Sequence, residues 1–174
     1  YFDIVTDMVD ALIFGQNDSA DRGGWRYDWN YGSSDNSVSQ WGAISLLAAD
    51  NHFCIKTPAW VMEENKRWLA ASFIDGYYCY RPTERYPWSE TVWHSTQPSA
   101  LIQMAVNNIY VTNAVWHTAE MAIADNWDSV YGNAANRNYY ALYAVTKAMR
   151  LARPRPVTYL EKTFIDWYND DTRG

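Results

Sequence analysis

Asp28, Asn30, Ser34 and Asn36 put four oxygen donors into one loop, at mostly alternate positions. Hard oxygen ligands arranged this way can hold calcium. The spacing is not that of an EF-hand loop, and the same residue types build turns unaided. A second group is aromatic. Trp25, Tyr27, Trp29, Tyr31, Tyr77, Tyr80, Trp88 and Trp93 crowd two stretches rich in Gly, Asn and Asp, and Trp41 follows the first. Aromatic faces beside Asp and Asn can grip a sugar ring; large rings with a polar handle equally suit packing on helix ends. The thiols and imidazoles form no pattern. Cys54 and Cys79 belong to no CxxC pair, and His52, His94 and His117 lack ligand spacing. One disulfide in an oxidising compartment and two free thiols both stay open.

Composition excludes several partners. The net charge is −6 and no basic run occurs, which argues against nucleic acid and against an anionic membrane surface. No apolar stretch approaches the roughly 20 residues of a membrane span. The 48% apolar content suffices for a sizeable core in a chain the size of one domain. With 10 Trp and 14 Tyr against 5 Phe, that core is expected to open onto clefts. Frequent Asn and few Lys resemble secreted or envelope proteins of bacteria; the cytoplasm is the alternative compartment.

The elements that must position these residues recur along the chain. Ser39-Gln40-Trp41-Gly42-Ala43-Ile44-Ser45-Leu46-Leu47-Ala48-Ala49-Asp50-Asn51 aligns with Thr96-Gln97-Pro98-Ser99-Ala100-Leu101-Ile102-Gln103-Met104-Ala105-Val106-Asn107-Asn108. A third copy begins at Asn138, with Tyr140 in the place of Trp41. Segments 38–49, 98–106 and 139–151 are apolar nearly all round, as buried inner helices are. Trp41, Ile44, Leu47, Leu101, Met104, Leu142 and Val145 are therefore expected in the core. Segments 59–74 and 110–124 are one-sided, and 2–14 and 157–168 read the same way, so these four are expected as outer helices. Ser34, Asp35 and Ser37 are cap candidates, and Pro98 is expected in a first helical turn. Loops at 15–36, 75–95 and 126–137 join outer to inner helices and hold a short strand pair at most.

Residues 16–49 carry a family resemblance. Gln16, then Gly23-Gly24-Trp25-Arg26-Tyr27, then Asp35-Asn36-Ser37-Val38-Ser39-Gln40-Trp41 resembles a repeat of the terpenoid cyclase and protein prenyltransferase superfamily. Tyr139 to Val145 and Asp166-Trp167-Tyr168 resemble later repeats of bacterial proteins of this kind. The resemblance implies an all-α, α/α-toroid segment of about seven helices, alternating outer and inner. Its repeats fall at approximately 1–51, 52–108 and 109–152, with a fourth starting at 153, in one partial domain. In such repeats the Gly pair permits a tight turn, the Trp packs on the next helix start, and the Gln ties loop backbone to a helix end.

The resemblance also names chemistry to look for. Cyclases of this superfamily protonate an alkene with an Asp-x-Asp-Asp acid; here Asp170-Asp171-Thr172 lacks the leading Asp. Prenyltransferases hold zinc with Asp, Cys and His; Asp75 and Cys79 with His94 or His117 would be the counterparts. No basic pocket for a diphosphate is evident, and no cofactor is implied. The leading expectation is a noncatalytic binding or scaffold module of a larger bacterial envelope or secreted protein. The alternatives are part of an isoprenoid cyclase or prenyltransferase, and a glycan-binding or glycan-cleaving toroid. The ligands would be an isoprenoid or a glycan. The sequence opens at Tyr1 in mid-pattern, and three hairpins fall short of the roughly six of a closed toroid. The expected partner is thus the remainder of a longer chain, or another subunit that closes the arc.

Overall fold

The computed structural model describes residues 1–29, 31–83, 90–131, 138–152, 159–160 and 165–169, with the backbone alone at 90–94, 130 and 159–160. Helices dominate. The first, α1 (Phe2–Phe14), ends at Gly15. Val5, Val9, Leu12 and Ile13 recur at helical spacing and pack with Trp25, Leu46, Ala49 and Val61. The second, α2 (Asn36–Phe53), starts where the Asp35 carboxylate accepts the Val38 N–H at 2.8 Å. That bond satisfies one of the orphan donors of a helix start. Then α3 (Ala59–Ser72) buries Val61, Asn65, Trp68, Leu69 and Ser72 along one stripe.

A two-residue turn follows. Strands β1 (Phe73–Ile74) and β2 (Tyr77–Tyr78) pair antiparallel, Phe73 with Tyr78 and Ile74 with Tyr77. The turn needs positive φ twice, and Asp75 (52°) with Gly76 (90°) supplies it. Helix α4 (Glu90–Val106) comes next, then α5 (Ala114–Asp125), capped by the Asn113 side chain on Val115 N. A π-helical turn (Trp127–Tyr131) stacks its first and last rings at 5.6 Å. The last helix, α6 (Tyr139–Leu151), is capped by Asn138, and a hairpin pairs β3 (Tyr159–Leu160) with β4 (Ile165–Asp166).

The fold is built on α4. It contacts α2, α3, α5, α6 and β2, and every described side chain from Ser95 to Ala105 is buried. Leu101, Ile102, Met104 and Ala105 meet Trp116 and Ile123 of α5, Val145 and Met149 of α6, and Trp167 beyond β4. Thus α2, α4 and α6 pack in chain order with α4 in the middle. Of the three inner segments, only α4 has described side chains buried all round, from Ser95 to Ala105.

Several expectations are corrected. Trp41 is 45% exposed and stacks on Tyr143 of α6 at 5.4 Å. Ile44, Leu47 and Leu142 are half-buried, whereas Leu101, Met104 and Val145 are core. The reason is that α2 and α6 flank α4, so each buries one face and leaves the other open. Pro98 lies inside α4, not in its first turn, because the helix begins at Glu90 and takes in the end of the expected loop. Where a last outer helix was expected at 157–168, the chain forms the β3–β4 hairpin. Of the strand residues, Tyr159 is aromatic and Ile165 β-branched, types suited to strands.

Trp68 is fully buried on α3 and Trp41 is half open. Trp68→Ala should therefore cost about 3–5 kcal/mol in urea denaturation, and Trp41→Ala about 1–2 kcal/mol. The reverse order would mean that the buried face of α2 is assigned wrongly.

Candidate binding site

The loop from Gly15 to Asp35 is held by its own polar groups. Gln16 Nε2 donates to Gly23 O at 3.0 Å and to Val61 O, in the first turn of α3, at 2.9 Å. Gly23 has φ +95°, and a Cβ there would stand 1.9 Å from Glu64 O, so only glycine fits. Trp25 N donates to Ser39 Oγ at 2.9 Å, its indole N–H reaches Leu12 O at 2.8 Å, and its ring lies against Gly42. These are the roles expected of the Gln, the Gly pair and the Trp.

Beneath the loop runs a chain of buried amides. Asn36 Nδ2 donates to Cys79 O at 2.7 Å, and Asn36 Oδ1 accepts from Trp68 Nε1 at 3.0 Å and from Gln103 Nε2 at 2.9 Å. Asn65 Nδ2 donates to Gln103 Oε1 at 3.0 Å, and Asn107 Nδ2 to Asn65 Oδ1 at 2.6 Å. Gln97 clips β2, accepting Tyr78 N at 3.0 Å and donating to Tyr78 O at 2.9 Å.

Charge concentrates at the start of α2. Asp35 is fully buried. One carboxylate oxygen takes Val38 N and the Ser37 hydroxyl, the latter at 2.5 Å; the other faces Arg26 Nη1 at 3.1 Å. The Arg26 guanidinium lies 5.6 Å from the ring centre of Tyr27, 5.7 Å from Tyr80 and 6.0 Å from Tyr31. Tyr140 of α6 closes the group. Its hydroxyl donates to Ser37 O at 2.9 Å, receives Gln40 Nε2, and lies 3.4 Å from Ser99 Oγ. Burial, then the charge of Asp35, push the Tyr80 phenol up to about 12. Burial first, with Asp35 adding, pushes Tyr140 up to about 12 as well. Both remain neutral at ordinary pH.

Beside this cluster, between the end of α1 and the loop, is a cavity of about 190 Å³. Leu12 and Gly15 from the end of α1 and Trp25, Arg26, Tyr27, Asp28 and Trp29 from the loop line it. A second, larger hollow of about 530 Å³ lies between the β1–β2 turn and α5, lined by Asp75, Tyr77, His117, Thr118, Met121 and Asp125 among others.

The aromatic candidates therefore divide. Tyr27, Trp29, Tyr31 and Tyr80 gather around Arg26. Trp25 is 5% exposed and serves mainly as packing. Trp41 pairs with Tyr143, and Tyr77 borders the second hollow. The side chains of Trp88, Trp93 and His94 lie outside the described residues, as do Asn30, Asp170 and Asp171. In the calcium reading, Ser34 is instead committed to Asp21 O and Asn17 Nδ2, and Asn36 to the amide chain; Asp28 is exposed. In the zinc reading, Asp75 and His117 share the second hollow, but Cys79 is buried outside its lining. Both cysteines are free. Among the described residues, no group of three or more His, Cys, Asp or Glu side chains is placed to hold a metal ion.

The sequence alone does not single out Arg26, Tyr140 and Tyr143 for the candidate site, and it marks Asp35 only as a cap candidate. The repeat alignment of Tyr140 with Trp41 was the one signal that pointed at α6. No family model, no curated protein and no solved structure matches this chain.

Two outcomes follow from the charge cluster. Asp35→Ala removes the α2 cap and strips Arg26 of its counter-charge. It should cost about 2–4 kcal/mol by chemical denaturation, and a loss below 1 kcal/mol would show that the pair is solvated. The second concerns alkaline pH. Tyr80 and Tyr140 are raised to about 12, and burial raises Tyr78 and Tyr131 further. An unfolded phenol ionises near pH 10, so the folded state holds these protons longer. That stabilisation is complete below about pH 10 and is lost as pH climbs through 12. Denaturation midpoints should fall over that interval, with the four phenols ionising only as the chain unfolds. A midpoint flat from pH 9 to 11.5 would refute this.

Proposed function

We propose that this chain is a noncatalytic helical-hairpin module, a segment of an α/α-toroid, that acts as a binding or scaffold element. The observation that carries this is an unequal treatment of equivalent faces. In α3 the face bearing Val61 and Asn65 is covered by the loop of the preceding repeat: Gln16 bonds Val61 O, Gly23 sits on Glu64, and Arg22 pairs with Glu64 at 2.6 Å. Extending the repeat alignment puts Ile4 and Met8 of α1 in those same places, one turn apart on one face, and each is 60% exposed. Contiguous apolar faces of this sort mark interaction sites. In repeat arrays they are covered by the neighbouring unit. The occupant proposed for α1 is thus a further hairpin of the same kind, presented by a longer chain or another subunit.

The noncatalytic part rests on how the polar groups are engaged. Asp35, the fully buried carboxylate of the site, holds a cap and an ion pair. The buried Asn36 side chain joins one repeat to the next, and Asn65, Gln103 and Asn107 join α3 to α4 within the second. These groups build the scaffold and leave little poised to move a proton. No described helix is long and apolar enough to cross a membrane.

Sedimentation of this chain alone provides the test. It should self-associate or bind a hydrophobic dye through α1, and the double change Ile4→Glu, Met8→Glu should abolish both while leaving the helical circular dichroism intact. A parent chain that is monomeric, dye-free and indifferent to the double change would overturn the scaffold reading.

A further inference from the structure

The 190 Å³ cavity at the end of α1 lies apart from the Ile4–Met8 face, and its lining is selective in a way that names a ligand. Its volume is below the roughly 300–1,000 Å³ of sites for drug-sized molecules. It has room for one ring-sized group. Two aromatic side chains at its mouth are held open to solvent: Tyr27 is 75% exposed and Trp29 60% exposed. Trp29 is not loose. Its ring rests over Gly15, where an added Cβ would lie 3.0 Å away, and tilts against Phe14 at 6.3 Å. Glycine at this position lets the indole settle on the helix end and keep an outward face.

The charges of the lining disfavour an anion. Arg26 belongs to the lining. The Asp28 carboxylate is the other charged group of the lining. The C-terminal end of α1 adds the partial negative charge of its carbonyls, and Asp35 already neutralises Arg26 at 3.1 Å. An anion would therefore meet net negative potential, in a chain of net charge −6. Two exposed aromatic faces beside a carboxylate, in a space of ring size, are complementary to a neutral ring with apolar faces and hydroxyl edges. Its C–H face lies on an aromatic ring, while its hydroxyls donate to the Asp28 carboxylate and accept from Arg26.

We infer that this cavity binds one neutral pyranose unit of an oligosaccharide, with Trp29 and Tyr27 as stacking faces and Asp28 as the hydroxyl acceptor. The inference deepens the binding role proposed above by giving it a ligand class, and it uses none of the residues that carry the scaffold reading.

Saturation-transfer NMR and calorimetry on the intact chain give the test. The probes are cellohexaose, xylohexaose, mannohexaose and maltohexaose, with tetragalacturonate as the anionic control. At least one neutral sugar should bind with a dissociation constant between about 10 μM and 1 mM. Trp29→Ala and Asp28→Asn should each weaken it by about tenfold or more. Asp28 is exposed, so Asp28→Asn should keep the parent's melting temperature, and Trp29→Ala, which loses the contacts with Gly15 and Phe14, should stay folded with a modest drop; if one variant fails to fold, the other decides. Trp41→Ala should leave binding unchanged. Absence of binding by all four neutral sugars up to saturation would overturn the inference, as would a preference for tetragalacturonate. Binding that survives both variants, or that is lost with Trp41 instead, would also overturn it while keeping a binding role elsewhere on the chain. The sedimentation behaviour of α1 is untouched by any of these results.

Discussion

One carboxamide, that of Asn36, is the constraint on which the rest depends. It sits in the first turn of α2, fully buried, and meets groups from three other segments: Cys79 O after β2, Trp68 Nε1 on α3 and Gln103 Nε2 on α4. Its own N–H reaches Tyr80 O at 3.1 Å. A buried amide that loses a partner suffers the desolvation penalty without return, about 1–3 kcal/mol per group. Any slip of α2 against α3 or α4 would break several such bonds together. Hydrophobic packing alone tolerates sliding, because one small aliphatic residue resembles another. The directional amide chain from Asn36 through Gln103 and Asn65 to Asn107 fixes the register of α2, α3 and α4.

That register is what sets the candidate site. Since Asn36 is locked, Asp35 before it is held at the mouth of the loop, where it both caps α2 and faces Arg26. Arg26 then gathers Tyr27, Tyr31 and Tyr80 from two separate loops. Tyr140, distant in sequence, joins them through Ser37 O because α4 brings α6 alongside α2. The cluster is thus a consequence of helix packing as much as of the loop. The same packing explains why Trp41 and Tyr143 stack at the surface: α2 and α6 both lean on α4, and their outward edges meet.

Much was legible in the sequence. The helices 2–14 and 139–151 were placed within their observed bounds, since their apolar periodicity is strong and their ends are marked by Gly15 and Asn138. The loop motif was legible because its physics is local. A glycine with positive φ, a Trp seated on a glycine and a Gln bridging two carbonyls are encoded within a few residues of one another, apart from the reach to α3. The Asp-Gly turn of the β1–β2 hairpin is local in the same sense.

What only the tertiary structure decided are the faces and the partners. Composition marks α2, α4 and α6 alike as apolar, yet among the described side chains burial all round belongs to α4 alone, because it alone has neighbours on every side. Periodicity cannot count neighbours. Nor could it tell that Ser34 and Asn36 turn inward to other carbonyls and amides rather than outward as ligands. Residues 157–168 show the same limit from the other direction. Their apolar spacing fits a helix, and the strand pairing of Tyr159 with Asp166 and Leu160 with Ile165 becomes visible only when the partner strand is in place. Residue types and local turns follow from the chain's own chemistry, whereas exposure, register and the meeting of Arg26 with Tyr80 depend on which distant surfaces are brought together.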